Sequence, residues 1–348
     1  MPDDTLPPDR DPTRRDVTLV SCMRNEGLFI VEWVAYHSLM GFADILVFTN
    51  TCTDGSDLLL DRLQELGYLT HVRHDPPPGQ SPQITAMKLA FRHPRVLAHE
   101  WLLHIDSDEF LHVDTGDGTV GALIRAVEPA DVVAIGWKCF GNAGKTRWDG
   151  GNVLEEFTRS QGKPMRRIGF HKSLYRHRLF EYGTDHMPKK PRRDDVRVVT
   201  TAGKAFAPST IHHPKKSRYK LDFRWMTFRN AAIHHYVIKS DDLYVMKNDR
   251  GDGHGMTHTK YYINSEAYSR HNRNEAEDRT ILARWPAISA RIEALRADPE
   301  IARLEATCIA AFKARRDLVL TPAQLAAWTF PPPGGRADDT KDHDADDD

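Results

Sequence analysis

The chain has 348 residues, 40% hydrophobic and 28% charged, with a formal net charge of -1. That balance supplies a sizeable core and gives whole-molecule charge no role in drawing the chain to a polyanion or a membrane. Four cysteines, Cys22, Cys52, Cys139 and Cys308, lie too far apart for a Cys-x-x-Cys zinc site and are too few for a disulfide framework, and no segment approaches the ~18 apolar residues of a membrane span.

The residues up to about Asp16 are polar and proline-rich, without the apolar stretch of a signal peptide, and read as a flexible lead-in. With so few thiols, a cytoplasmic location is expected. Val17–Met23 is a short apolar run of strand type. Leu28, Val31, Val34, Ala35 and Leu39 then recur at helical spacing, closed by Gly41. Ile45–Phe48 predicts a second strand, Asp57–Leu66 a helix, Leu69–Arg73 a third strand and Pro82–Phe91 a third helix. Trp101–Ile105 follows as a fourth strand, Val120–Val127 as a helix and Val132–Trp137 as a fifth strand. This alternation implies an α/β fold, with a Rossmann-like, mostly parallel sheet and helices on both faces.

From about Lys138 to Lys220 the chain is rich in Gly, Arg, Lys and His with little periodicity, which suits strands and long loops over one end of the sheet. Ala231–Lys239 is a further strand-like run. Residues from about Ser265 to Phe330 are helical and charged, and the stretch 331–348 is an acidic tail that reads as disordered. The expected organisation is a lead-in over 1–16, one domain over 17–260 divided near residue 137, a helical extension over 261–330, and the tail.

Ligands of such sheets sit outside the carboxyl ends of the strands. After the fourth strand, WLLHIDSDEFL delivers Asp106 and Asp108 two residues apart, so both carboxylates can face one side. Paired carboxylates at a sheet edge make a hard, anionic site suited to Mn²⁺ or Mg²⁺, with phosphate oxygens completing the shell. After the first strand comes CMRNEG, where Asn25 can cap the next helix and Glu26 can accept hydrogen bonds from a ribose or a base. After the second comes FTNTCTDGS, a polar, glycine-containing loop able to approach a nucleotide.

Taken together, these pieces resemble the family 2 glycosyltransferases of the GT-A fold, in a branch similar to the family 92 enzymes. The residues that carry the likeness are Arg24, Asn25 and Glu26; Glu32 and Trp33; Asn50, Asp54 and Gly55; Asp106, Asp108, Glu109 and Phe110; and His235, Tyr236, Ser240, Arg250 and Gly251. The likeness runs from about Val17 to Asp278. It implies transfer of a sugar from a nucleotide donor to a hydroxyl, with inversion. Residues 17–137 would then bind the donor and 138–260 the acceptor, a glycan or a phosphate-bearing molecule. Arg24, Asn25, Glu26, Asn50, Asp54 and Asp106 become donor-binding candidates, and Asp106, Asp108 and His235 metal ligands. Thr49 stands where the family usually has an acid that reads the base, which leaves the donor's base open.

A general base is also required. Asp149 and Glu155, on the loop after the fifth strand, are the leading candidates, with Glu156 and Asp185 beside them. The basic stretch Lys163–Lys220 reads first as solvated surface. Its alternative is an anion funnel, which also admits peripheral attachment to the inner face of a membrane; no recognisable nucleic-acid motif interrupts it. His186, His212 and His213 are lesser acceptor-side candidates. The rival readings are a sugar nucleotidyltransferase, which would want a Gly-rich basic loop after the first strand, and a non-catalytic carbohydrate-binding protein.

Overall fold

Both faces of the first strand, β1 (Val17–Met23), are buried, because Leu19 joins the core on one side of the sheet and Val20 the core on the other. The same division recurs at Val47 and Leu46 of β2 (Asp44–Thr49), and at Leu103 and Leu102 of β4 (Trp101–His104). Continuous apolar runs are what a sheet covered on both faces demands. The computed structural model describes residues 16–164, 170–214, 219, 225–251 and 259–332. All of the expected lead-in but Asp16, most of the acidic tail, and residues 165–169, 215–218 and 220 of the basic stretch lie outside them.

The alternating half is completed by α1 (Ile30–Ser38), α2 (Ser56–Glu65), β3 (Thr70–Arg73), α3 (Pro82–Ala90), α4 (Pro94–Leu97), β5 (Glu109–Val113), α5 (Val120–Val127) and β6 (Val132–Cys139). The middle region holds α6 (Val153–Glu156), β7 (Arg159–Ser160), β8 (His171–Arg176), β9 (Phe180–Gly183), β10 (Pro188–Pro191), β11 (Val198–Thr200), β12 (Ala205–Phe206) and β13 (Ala231–His235). After it come α7 (Asp241–Val245), α8 (Lys247–Arg250), α9 (Glu266–His271), β14 (Ala276–Glu277), α10 (Trp285–Arg296), α11 (Pro299–Val319) and α12 (Pro322–Ala327).

One sheet runs in the order β12-β11-β6-β8-β4-β1-β2-β3, with β13 pairing β6 and β5. The pairings of β1 with β2 and β4, of β2 with β3, and of β6 with β11 and β13 are parallel. Strand β8 is antiparallel to both β4 and β6, so two reversals restore one direction to β4, β6 and β13. Their carboxyl ends therefore meet at the same edge as those of β1 and β2. Here the structure departs from expectation: the polar stretch HKSLYR is not laid over the sheet but runs through its middle, almost wholly buried.

Among the described residues no helix is long and apolar enough to cross a membrane. The C-terminal helices pack back on the fold, α10 against α1 and α11 against α2. Arg62 pairs with Asp298 at 2.6 Å, and the buried Arg316 donates to Asp242 (2.9 Å) and to the carbonyl of Trp148 (2.6 Å). Gly27, at the entry to α1, faces Cys308 of α11, where an added Cβ would lie 2.3 Å from the sulfur; only glycine admits that approach.

The charge that interrupts the apolar run of α1 has a structural use. Glu32, 2% exposed, accepts from the backbone N–H of Val153 (2.6 Å) and of Leu154 (2.9 Å), the first residues of α6. Burial pushes its pKa up to about 7, against the pull of those two hydrogen bonds. From the same helix, Trp33 Nε1 donates to the Glu109 carbonyl (3.1 Å) and Tyr36 Oη to the Leu111 carbonyl (2.7 Å). These bonds fix the start of β5, and with it the acidic turn before it.

A folded-state pKa raised above the unfolded one means that the folded chain holds the proton more tightly. Stability from this group is thus greatest when Glu32 is protonated, and falls as pH rises from its unfolded value near 4.5 through about 7. Glu32→Gln should remove that slope. In urea unfolding, the stability difference between the two proteins should move in favour of the glutamine variant between about pH 5 and about pH 8. A pH-independent difference would show that Glu32 does not titrate in this window.

Candidate active site

The turn between β4 and β5 carries three carboxylates in four residues, Asp106, Asp108 and Glu109. Its geometry is set locally: Glu109 N–H donates to the Asp106 carbonyl (3.1 Å), and the Glu109 side chain accepts from Asp106 N–H (2.8 Å). Glu109 is fully buried, and burial pushes its pKa well above the ordinary carboxylate value. It is a structural acid of the turn.

Asp106 and Asp108 each meet a lysine. Lys172 of β8, fully buried, reaches Asp106 at 2.9 Å and Glu109 at 3.5 Å, while Gln83 of α3 donates to the other oxygen of Asp106 at 2.6 Å. Burial opposes the charge on Asp106, but Lys172 outweighs it and holds the pKa below its usual value. Lys247 of α8 donates to Asp108 Oδ2 (3.1 Å) and to the Val237 carbonyl (2.9 Å). Asp108 Oδ1 faces His235 Nε2 at 3.5 Å. Against the penalty of burial, Lys247, His235 and Lys239 hold Asp108 well below the normal range.

His235 reaches this point because it ends β13, in register with Glu109 on one side and Cys139 on the other. The Trp137 ring packs on its imidazole with centroids 4.2 Å apart. Its Nδ1 is buried without a hydrogen-bond partner, and the ligand atoms of Cys139, His235 and His271 lie within 4.8 Å of one another. A hard divalent cation prefers oxygen and imidazole to a thiol. The unused Oδ1 of Asp108 and the adjacent Nε2 of His235 fit such an ion better than the buried sulfur does. Asp106, with both oxygens engaged, is placed beside that position.

Gln83, Asp106, Asp108, Trp137, His235 and Lys247 line a cleft of about 210 Å³, together with Arg24, Glu26, Asn50, Asp185, His186 and Arg250. Glu26 is ion-paired with Arg250. Asn25 and Asp54 do different work. Asn25 exchanges hydrogen bonds with Thr53 (3.0 and 2.8 Å), and Asp54 accepts from Gly27 N–H (3.2 Å) and Ser56 N–H (2.9 Å), so together they clasp the loops after β1 and β2.

The leading base candidates do not reach the cleft. The Asp149 side chain is 80% exposed beside Arg147, and Glu155 is exposed and accepts from Asn152 at 3.0 Å. Both sit on the loop before or within α6, which Glu32 anchors away from the strand ends. Glu156 is ion-paired with Lys145 there. Asp185 does line the cleft, 3.3 Å from His186 Nε2, whereas His212 and His213 are exposed elsewhere. Nor is the basic stretch all surface: Lys172 is internal, and Lys189, also fully buried, donates to the carbonyls of Thr210 and His213, each at 3.0 Å.

Sequence reasoning missed Lys247, Gln83 and Trp137, which line the cleft, and Lys172, which is buried behind Asp106. Only Lys247 had a signal, one helical turn before the motif residue Arg250.

Carboxylates, an imidazole and cations gather in a cleft at the carboxyl edge of the sheet, the place where Rossmann-like α/β folds hold their ligands. The chain belongs to Glycosyltransferase family 92, whose sequence profile matches residues 18–280. A family 92 protein of Ricinus communis is 31% identical over 104 residues, 29% of this chain and 18% of its own length. Another, of Oryza sativa subsp. japonica, is 28% identical over 162 residues, 44% of this chain and 26% of its own. The chain thus matches only about a fifth to a quarter of the length of these relatives. A looser likeness, at a TM-score of 0.31 and 16% identity over 46% of each chain, is to the crystal structure of S. aureus TarS 1-349 in complex with UDP.

Removing the cation from the acidic turn should be costly. Lys172→Met leaves Asp106 and Glu109 buried without it, and is expected to lose about 3–5 kcal/mol in urea unfolding. Adding Glu109→Gln should recover part of the loss. A single variant as stable as wild type would remove Lys172 from this account.

Proposed function

We propose that this protein is an inverting glycosyltransferase that moves a sugar from a nucleotide-sugar donor onto a hydroxyl acceptor, aided by Mn²⁺ or Mg²⁺. The observation that carries the reading is the convergence of Asp108, His235 and Lys247 at the carboxyl edge of a family 92 chain. Asp108 and His235 would hold the ion, with Asp106 beside them. When bound, the ion supplies charge to neutralise the departing diphosphate. The rest of the chemistry belongs to the chain. Lys247 and Arg250 face the same cleft as cations for phosphate oxygens, and Asn50 and Glu26 line the side of β1 and β2 where the nucleoside would rest.

In a single displacement the acceptor oxygen bonds to the anomeric carbon as the bond from that carbon to the diphosphate oxygen breaks. The diphosphate leaves with the electron pair, and the hydroxyl proton passes to a base on the opposite side of the sugar. Asp185 is our assignment for that base, because of the four candidate acids Asp149, Glu155, Glu156 and Asp185 it is the one that lines the cleft. His186 Nδ1 lies 3.0 Å from the His171 carbonyl and, as its donor, leaves the Nε2 lone pair 3.3 Å from Asp185, able to accept a hydrogen bond once Asp185 has taken up the acceptor's proton.

Diphosphate release should be assayed over a panel of nucleotide sugars with Mn²⁺ and with chelator. Asp108→Ala should abolish release while Tm shifts by only a few degrees; near-normal turnover in that variant would remove the acidic pair from the mechanism. Asp185→Asn should lower kcat by about 100-fold or more with nucleotide binding retained, whereas Asp149→Ala and Glu155→Ala should stay near wild type. The reverse ranking would return the base to the loop after β6.

A further inference from the structure

Behind the catalytic cleft lies a second, larger cavity, of about 480 Å³. The two share Arg24, Glu26, Val237, Lys247 and Arg250, so the Glu26–Arg250 ion pair stands between them. The inner walls are apolar: Leu28 and Phe29 at the entry to α1, Leu243 and Met246 from α7 and its end, and Ala311 and Phe312 from α11. The acidic turn, Asn50 and Gln83 do not line it, whereas Arg24, Asn25, Glu26 and Asp54 of the loops after β1 and β2 do.

Its charges do not cancel. Asp249 is held by Arg315 at 2.7 Å, Glu26 by Arg250, and Asp54 by two backbone N–H groups. That leaves Lys239 and Arg24. Lys239 is 5% exposed, and among the described residues its Nζ has no hydrogen-bond or ion-pair partner; it lies 5.0 Å from the centroid of the Phe29 ring. Burial lowers its pKa to about 8, so an anion brought alongside would stabilise its charge. Its backbone has φ +54°, a conformation that costs a residue with a side chain and is kept where the surroundings impose it. Arg24 Nε is likewise buried without a partner. An isolated buried cation is expensive, and a ligand that supplies the anion relieves the cost.

We propose that this cavity is the acceptor subsite, and that it takes an amphiphile whose acidic group, a phosphate or a carboxylate, meets Lys239 and Arg24 while its apolar portion packs on Phe29, Met246 and Phe312. This rests on the glycosyltransferase reading for the word acceptor, but the binding itself does not. The cavity opens toward Asp108 and Lys247 through the residues shared with the cleft, which is where an acceptor hydroxyl has to arrive.

Calorimetry on the full chain tests it, with n-octyl phosphate below its micelle concentration as the probe. Inorganic phosphate and n-octyl glucoside supply the anion alone and the alkyl chain alone. Octyl phosphate should bind at least about tenfold more tightly than either. Lys239→Met should weaken it about tenfold, and Ala311→Trp, which fills the cavity, should abolish it. UDP with Mn²⁺, titrated into both variants, checks that they are folded and that the donor side is intact. Equal binding of octyl phosphate and inorganic phosphate, or octyl phosphate binding indifferent to both substitutions, would overturn the proposal. If octyl phosphate behaves as expected but no nucleotide diphosphate binds the wild-type protein, the cavity stands and the glycosyltransferase reading falls.

Discussion

Carboxylates a few ångströms apart and shielded from water repel when ionised, and the chain between β4 and β5 places three of them in four positions. Two lysines from distant parts of the sequence answer that constraint. Lys172 enters from β8 and takes Asp106 and Glu109; Lys247 enters from α8 and takes Asp108. Every other feature of the site follows from bringing them there. Strand β8 has to run through the middle of the sheet for Lys172 to arrive from below. Strand β13 has to finish at the same edge for the α7–α8 segment to lay Lys247 over the turn.

The arrangement also divides the labour among acids. Glu109, pushed up by burial, serves the turn; Asp106, with both oxygens engaged, is a fixed point; Asp108 keeps one oxygen directed at His235. Such separation of roles by environment lets one short motif do structural and chemical work together. Glu32 extends the same economy. A fourth buried acid, it holds α6 by two backbone N–H groups, while Trp33 and Tyr36 of the same helix hold the carbonyls of β5. The loop bearing Asp149 and Glu155 is thereby fastened to α1, and neither acid lines the cleft.

The C-terminal helices belong to the same frame. Helix α11 approaches the loop after β1 so closely that Gly27 can carry no side chain, and it contributes Ala311, Phe312 and Arg315 to the wall of the larger cavity. Arg316 ties it to Asp242 just before α8.

By itself the sequence determined the alternating α/β half and the acidic turn. Apolar runs and helical spacing are local signals: Val17–Met23, Val120–Val127 and the strand leading into Asp106 fall where their side-chain periodicity puts them. Motif residues at strand ends were legible for the same reason, since a parallel sheet sends its strand ends to one edge. Only the tertiary structure decided which charges meet. Lys172 sits in HKSLYR, whose polar residues look like a loop in one dimension; it can be buried there because Asp106, 66 residues away in sequence, neutralises it. Asp185 entered the cleft and Asp149 did not, though both are ordinary acids in the sequence. Long-range pairing, which no local pattern encodes, sets how far each stands from the strand ends.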